Sequence, residues 1–523
     1  MRTNLHHLLE EKIPERGGLL ALTDKDITYT YAEMWDKVRG VANGLRGLGL
    51  QRDDRVAVFL DKRVEIVSAI FGTSAAGGVF VPVNPVLRPA QVAYIMADCS
   101  VRVLVTSPER LDVMKQELKS CPALEHVILV PTAREAAPAP EDEQYSVRFW
   151  TDLVNAGPAA LPTGIDLDMA AILYTSGSTG KPKGVVLSHR NLIVGAESVS
   201  SYLGNTTDDV ILSALPLSFD AGFSQLTTGF AAGAHVVLLN YLLPKDVVRL
   251  CAAHRVTGLT CVPPLWIQIA DLEWPPEVAA SMRYFANTGG RMPRATLERL
   301  RAHFPAARPY LMYGLTEAFR STYLDPGEVD RRPDSIGKAI PNAEILVVRP
   351  DGSRCEPGEE GELVHRGGLV ALGYWNDSAR TAERFRPAPG QDASWRTAEL
   401  AVWSGDTVVA DEDGFLYFIG RRDDMIKTSG YRVSPTEIEE VAYDTGLVRD
   451  AVALGLADAR LGQRIVLVAS PAIPEFDPSA LLVAMKRELP LYMVPDEVVL
   501  RDRIATSPNG KFDRVLLRQE LGG

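Results

Sequence analysis

Between residues 27 and 270, short apolar runs of strand character alternate with runs whose apolar residues recur at helical spacing. That alternation limits the chain to α/β folds with largely parallel sheets. "ITYTY" and "RVAVFL" flank a predicted helix that opens on a capping box, Thr30 with Glu33, and continues with Met34, Val38, Val41 and Leu45 on one face. "EIVSAIFGTSAAG" reads as a helix and "GVFVPVN" as a buried strand. "HVVLL" and "GLTCVP" are further buried strands, the latter leading into the helical "PLWIQIADL". From about Pro341 the pattern changes to short strands with Gly/Asp turns, "AEILVV", "GELVHRG" and "GFLYFIG", which predicts a smaller β-rich subdomain.

A chain of 523 residues is too long for one hydrophobic core. The last hundred or so residues carry their own strand and helix patterns, enough for a small α+β domain. The natural cut falls near Asp423, giving 1–422 and 423–523. "RRDD" there lacks the glycine and proline of a loose linker and reads as a defined hinge.

Charge narrows the function classes. A net charge of -12 and a pI near 5.3 exclude a general nucleic-acid or membrane-surface binder, which needs a basic face. The N-terminus lacks a signal-like apolar core, and no run approaches the roughly 20 apolar residues of a membrane span. The five cysteines, Cys99, Cys121, Cys251, Cys261 and Cys355, are odd in number and show no C-x-x-C pair. A soluble, cytoplasmic protein with buried thiols and no zinc site is expected.

The chemistry begins at "YTSGSTGKPKG", residues 174–184. Glycines let successive N–H groups curl around an anion, hydroxyls add donors, and lysine neutralises phosphate oxygens. The common P-loop would require a hydroxyl residue after its lysine, where this chain has Pro182. Taken with "YGLTE", "GELVHRG", "SGDTVVADEDGFLYFIGRRDDMIKTSGYRVSPTEIE" and "SPNGKFDR", in this order and spacing, the chain resembles the AMP-forming adenylating enzymes over essentially its whole length. These include acyl-CoA ligases, aminoacyl carrier-protein ligases, peptide synthetase adenylation domains and luciferases. The stretches "MYGLTEAFRSTYLDP" and "RRPDSIGKAIPNAEILV" look particularly like the acyl-CoA ligases associated with bacterial exosortase systems.

The resemblance implies a large N-terminal region of parallel-sheet α/β subdomains plus the small β-rich one, followed by a small mobile C-terminal domain. It implies ATP and Mg²⁺, adenylation of a carboxylic acid with release of pyrophosphate, and transfer to the thiol of CoA or of a carrier protein's phosphopantetheine. By motif match, Thr175, Ser176, Gly177, Ser178, Thr179, Gly180 and Lys181 would clamp the β- and γ-phosphates, with Lys183 a further candidate. Gly289, Gly290 and Arg291 in "NTGGRM" would line the adenine, Tyr313 would lie against the base, Thr316 near the α-phosphate and Glu317 on Mg²⁺. Asp406 would accept the ribose hydroxyls, with Arg421 gripping ribose or phosphate. Lys511 would stabilise the adenylation transition state. Asp423 would be the hinge, and Gly430 would let pantetheine pass the backbone.

"LPLSFDAGFSQL" bears on the acid. Amino-acid-activating relatives carry Phe-Asp here, so Phe219 and Asp220 are candidates to bind an α-ammonium. Asp220 could equally cap a helix starting near Ala221. Ala221-Gly222-Phe223 then departs from the amino-acid pattern. The expectation is an amino acid or other amine-bearing acid, with a fatty or aryl acid as the alternative. A phosphoryl-transfer ATPase, a luciferase-like oxygenase and a non-catalytic nucleotide binder are the remaining rivals.

Overall fold

The structure, a computed structural model, describes residues 2–131, 144–175, 182–240, 243–392, 394–421, 425–473, 475–505 and 512–522, with no account of the Arg421 and Thr436 side chains. Three sheets organise these residues. The first is built on parallel strands Leu20–Asp24, His235–Leu238, Val210–Ser213, Gly258–Cys261, Tyr284–Asn287 and Arg308–Tyr313. Gly258–Cys261 and Tyr284–Asn287 are buried along their whole length, as strands covered on both faces must be. The second sheet runs parallel through Met169–Thr175, Val79–Pro82, Arg55–Phe59, Val101–Thr106, His126–Leu129 and Ser146–Phe149. Lys183–Ser188 and Gly373–Tyr374 close one edge antiparallel.

The predicted first helix is Tyr31–Gly47, and its capping box forms: Thr30 Oγ1 accepts from the Glu33 N–H while the Glu33 carboxylate accepts from the Thr30 N–H. Met34, Val38, Val41 and Leu45 are buried on its inner face. Of the cysteines, four are buried and Cys355 is partly exposed, and all are free thiols.

The β-rich stretch behaves differently from a separate sheet. Thr322–Leu324 and Ser335–Ala339 continue the first sheet antiparallel past Arg308–Tyr313. Leu416–Arg421, Leu400–Ala410, Glu360–Gly367 and Ala343–Val348 extend the same ladder. The junction is the pairing of Gly337 with Leu416. At Gly337 (φ +83°) a Cβ would fall 1.8 Å from the Tyr323 carbonyl oxygen, so only glycine permits that approach.

Residues beyond the 422–424 stretch form the third sheet, Tyr431–Val433, Ile426–Thr428, Gly462–Pro471, Val448–Asp458 and Glu497–Leu500, with helices Pro435–Asp444 and Pro478–Glu488 packed on it. It has its own core, including Ile438, Leu467, Leu481 and Met485. The expected cut at 422/423 lies outside the described residues. Among the described residues no helix is long and apolar enough to cross a membrane.

Candidate active site

Both parallel sheets present their carboxyl ends to one cleft of about 1380 Å³. This is where α/β sheets leave room for a ligand, because the loops after the strands part there. From the first sheet come Leu215 and Asp220, Val262, Thr288, and Tyr313 with Thr316; from the second come Lys62, Asn84 and Thr175. Lys62 ties the two together. Its Nζ donates to the carbonyls of Ser213 (2.6 Å) and Leu215 (2.7 Å), its N–H donates to Asn240 Oδ1 (2.8 Å), and burial pulls the ammonium down to about 7.

Glu317 sits in this cleft at 1% exposure. Its Oε1 accepts from Lys183 Nζ (2.8 Å) and from the Tyr374 hydroxyl (2.7 Å), and Lys183 also donates to Tyr374 Oη (2.6 Å). Burial pushes the Glu317 carboxyl up, but Lys183, Arg384 and Arg432 outweigh it and hold the group well below the usual carboxylate range. A carboxylate held in its ionised form is therefore fixed in the cleft. Lys183, a further candidate for the phosphate clamp, is paired with this carboxylate.

Asp406 is buried, at 2% exposure, on the long strand Leu400–Ala410 and accepts from the Tyr313 hydroxyl. The antiparallel register sets Asp406 directly opposite Arg421. Thr316, Gly289 (φ +77°) and Phe219 line the same cleft. Arg291 does not. It is 71% exposed and pairs with Asp334, because the turn after Gly290 leads into the helix Arg294–His303 and faces solvent. Gly290 is likewise absent from the cleft wall. Ser176, Gly177, Ser178, Thr179, Gly180, Lys181, Asp423 and Lys511 lie outside the described residues, as does the Arg421 side chain.

Asp220 departs from the capping expectation. It is the first residue of helix Asp220–Ala232 and does not cap it, since the cap position belongs to Phe219. Gly222 allows this helix to start close against the preceding loop, where a Cβ would fall 2.0 Å from the Pro216 carbonyl oxygen. The carboxylate faces the cleft yet already has a cation: Asp220 Oδ2 accepts from an Arg320 Nη at 3.2 Å. Burial raises its pKa, with Arg320 and the Ala221 N–H opposing. The site does not offer a lone carboxylate to an incoming ammonium.

Arg320 was not singled out in the sequence. It follows Phe319, whose φ +55° and ψ -49° with the Arg320 N–H to Ala318 carbonyl bond (2.6 Å) form the rare, strained γ-turn. The buried Phe319 ring holds that turn, packed where a Cβ on Gly195 would come within 2.5 Å. Only its place three residues after Glu317 could have drawn attention to Arg320.

The third sheet docks on the cleft mouth. Gly430 (φ +81°) faces Val262, Tyr431 meets Phe219 edge-on and stacks on Tyr492 at 3.7 Å, and Arg88 donates to the carbonyls of Lys486 and Leu489. Gln91 Nε2 donates to Glu437 Oε1 at 3.0 Å. Burial pushes Glu437 up to about 7, the Gln91 hydrogen bond opposing and neighbouring Glu440 adding to it. The docked state thus keeps a proton that an undocked carboxyl, with its ordinary value of 4.5, has lost. Docking is expected to weaken as pH rises from about 4.5 to about 7, and Glu437→Gln to flatten that slope, as read by amide exchange over Tyr431–Val433. An unchanged slope in the variant would assign the pH response to another group.

The family model described as "AMP-binding enzyme" matches residues 9–375. Gramicidin S synthase 2 from Aneurinibacillus migulanus is 30% identical over 98% of this chain, which spans 11% of that protein's length. A long-chain-fatty-acid–CoA ligase from Salmonella typhimurium is 28% identical over 99% of this chain and 95% of its own. The structure of a double mutant of o-succinylbenzoate CoA synthetase from Bacillus subtilis superposes with a TM-score of 0.83 at 24% identity, covering 99% of this chain and 98% of that one.

Proposed function

The chain belongs to the AMP-binding enzyme family, and from that premise we propose that it is an AMP-forming acid–thiol ligase. The observation that carries the reading is the meeting, in one cleft, of an ionised Glu317, the Tyr313–Asp406 pair and the Gly430 loop of the third sheet. A substrate carboxylate oxygen would attack the α-phosphorus of ATP, the bond to the pyrophosphate oxygen would break, and acyl-AMP would form. A thiol of CoA or of a carrier protein would then attack the acyl carbon. That step forms the thioester, expels AMP and gives the thiol proton to solvent.

Each residue has a part. Asp406 would accept ribose hydroxyls, Tyr313 would lie against the base, Thr316 would donate to the α-phosphate, and residues 175–181 would clamp the outer phosphates. Glu317 fits Mg²⁺, being an ionised oxygen donor whose hydrogen bonds among the described residues fall on Oε1 alone. It would hold the ion, which when bound neutralises phosphate charge. Residues 423–523 would move as a unit about Asp423, presenting Lys511 for the first step and Gly430 for the second.

Pyrophosphate release over amino, fatty and aryl acids, each with and without CoA, tests the reading. AMP and pyrophosphate in equal amounts are expected, with acyl-CoA or a charged carrier protein following. ADP as the nucleotide product would replace the reading with phosphoryl transfer, and acid-dependent oxygen uptake with light would replace it with an oxygenase.

A further inference from the structure

Resting on the reading that this cleft adenylates an acid, we infer that Arg320, seated on Asp220, selects the acid, and that the acid carries, besides its reacting carboxylate, a second oxygen acceptor which the guanidinium binds. A second carboxylate and a keto group share this chemistry.

The argument starts from hydrogen-bond capacity. A guanidinium has five N–H donors in a fixed fork and cannot shed its proton. Arg320 is 2% exposed, so bulk water reaches little of it. Among the described residues its hydrogen bonds are two, both from one terminal nitrogen: 3.2 Å to Asp220 Oδ2 and a long 3.5 Å to the Phe319 carbonyl. Nε is buried without a partner among the described residues. The other terminal nitrogen, Nη2, has no hydrogen bond among the described residues and is not one of the fully buried atoms, so it is the donor that a ligand in the cleft can reach.

Arg320 lines the main cleft and also a space of only about 10 Å³ walled by Leu203, Tyr284 and Met312 together with the polar Ser224, Gln225, Thr228 and Thr260; that space has room for one water molecule at most, so a substrate group can reach the guanidinium from the cleft alone. The γ-turn at Phe319 fixes the backbone that delivers the side chain there. Strained backbone held by packing is a feature of ligand-binding positions.

Charge decides between an amine and an acceptor. Asp220 is matched by Arg320 and by the N–H of Ala221 at its helix start. An ammonium would meet an already neutralised carboxylate and sit beside a guanidinium that repels it. An oxygen acceptor would instead fill the open donor, and a second carboxylate could do so in a charge-assisted way.

The test uses the full-length enzyme, ATP and a set of acids matched in length: unsubstituted, 2-amino, oxo and dicarboxylic. Acid-dependent AMP formation by the wild type is expected to favour an acceptor-bearing acid over its unsubstituted isostere by about a hundredfold or more in kcat/KM, since a buried donor left open rejects the analogue that cannot fill it. Comparing the oxo and dicarboxylic arms tells which acceptor is used. The double variant D220N/R320M, which removes both charges together, should lose the preference, and R320K should recover part of it.

Preference of the wild type for the amine-bearing or unsubstituted acid, or a preference that survives in D220N/R320M, overturns the inference. Failure of every acid to yield AMP would instead sink the adenylation reading. In that case thermal stabilisation of the wild type by the acids alone decides: a larger rise for acceptor-bearing acids that vanishes in D220N/R320M supports the role of Arg320, and equal shifts refute it.

Discussion

Lys511→Ala is expected to slow acyl-adenylate formation by about a hundredfold or more, the scale on which one preorganised charge acts on a transition state. Transfer from supplied acyl-AMP to thiol should continue. Adenylation concentrates negative charge on the α-phosphate and the attacking carboxylate, and an ammonium held there counts most when that charge is greatest. The chain holds both ends of the stretch that carries Lys511. The Asp513 N–H bonds the Ala505 carbonyl at 3.0 Å, and Arg514 donates to the Ala453 carbonyl and pairs with Glu439 at 2.7 Å. Acid-dependent pyrophosphate exchange and thioester formation from acyl-AMP measure the two halves separately. Equal losses in both would mean that Lys511 supports the fold or both steps, and that the domain does not alternate.

Gly430→Leu should produce the opposite split, sparing pyrophosphate exchange while cutting thioester formation by roughly tenfold to a hundredfold. Gly430 has φ +81°, a conformation that costs an L-residue about 1–2 kcal/mol. A Cβ there would also stand 2.8 Å from Val262 Cγ2. Docking of this loop on the cleft mouth would have to loosen, and the proposed passage for pantetheine would fill with side chain. If pyrophosphate exchange dropped as far as thioester formation, Gly430 would belong to the nucleotide site or to folding.

How far the sequence reveals this molecule depends on the range of the interaction. Thr30, Glu33 and the Met34–Leu45 face are local, and the helix forms as their spacing dictates. The alternation of runs likewise reveals an α/β fold with largely parallel sheets. The continuation of the first sheet into the β-rich stretch hangs on Gly337 meeting Leu416, 79 positions away, and nothing near either residue encodes that pairing.

The site divides the same way. Asp406, Tyr313, Glu317 and Gly430 stand in recognisable stretches and meet at the cleft. The partners of the charged groups are not local. Lys183 and Glu317 are 134 residues apart, and Arg320 and Asp220 are 100 apart. A carboxylate in a motif does not announce which cation the fold will bring to it. Arg291 shows the converse error: the glycine turn is legible, but the direction of the next side chain is set by Asp334 and the helix that follows.

The γ-turn at Phe319 would separate the shape of the proposed acyl pocket from its chemistry. Phe319 is anchored by its own buried ring against Gly195, so the backbone course at position 320 is decided before the identity of residue 320 matters. On the inference that Arg320 selects the acid, a codon change there would exchange the functional group offered to the acid, with Asp220 as its charge partner among the described residues. Such a two-position pair would let a lineage explore new acids without rebuilding the proposed nucleotide site, because Glu317, Tyr313 and Asp406 are held by hydrogen bonds that Arg320 does not make.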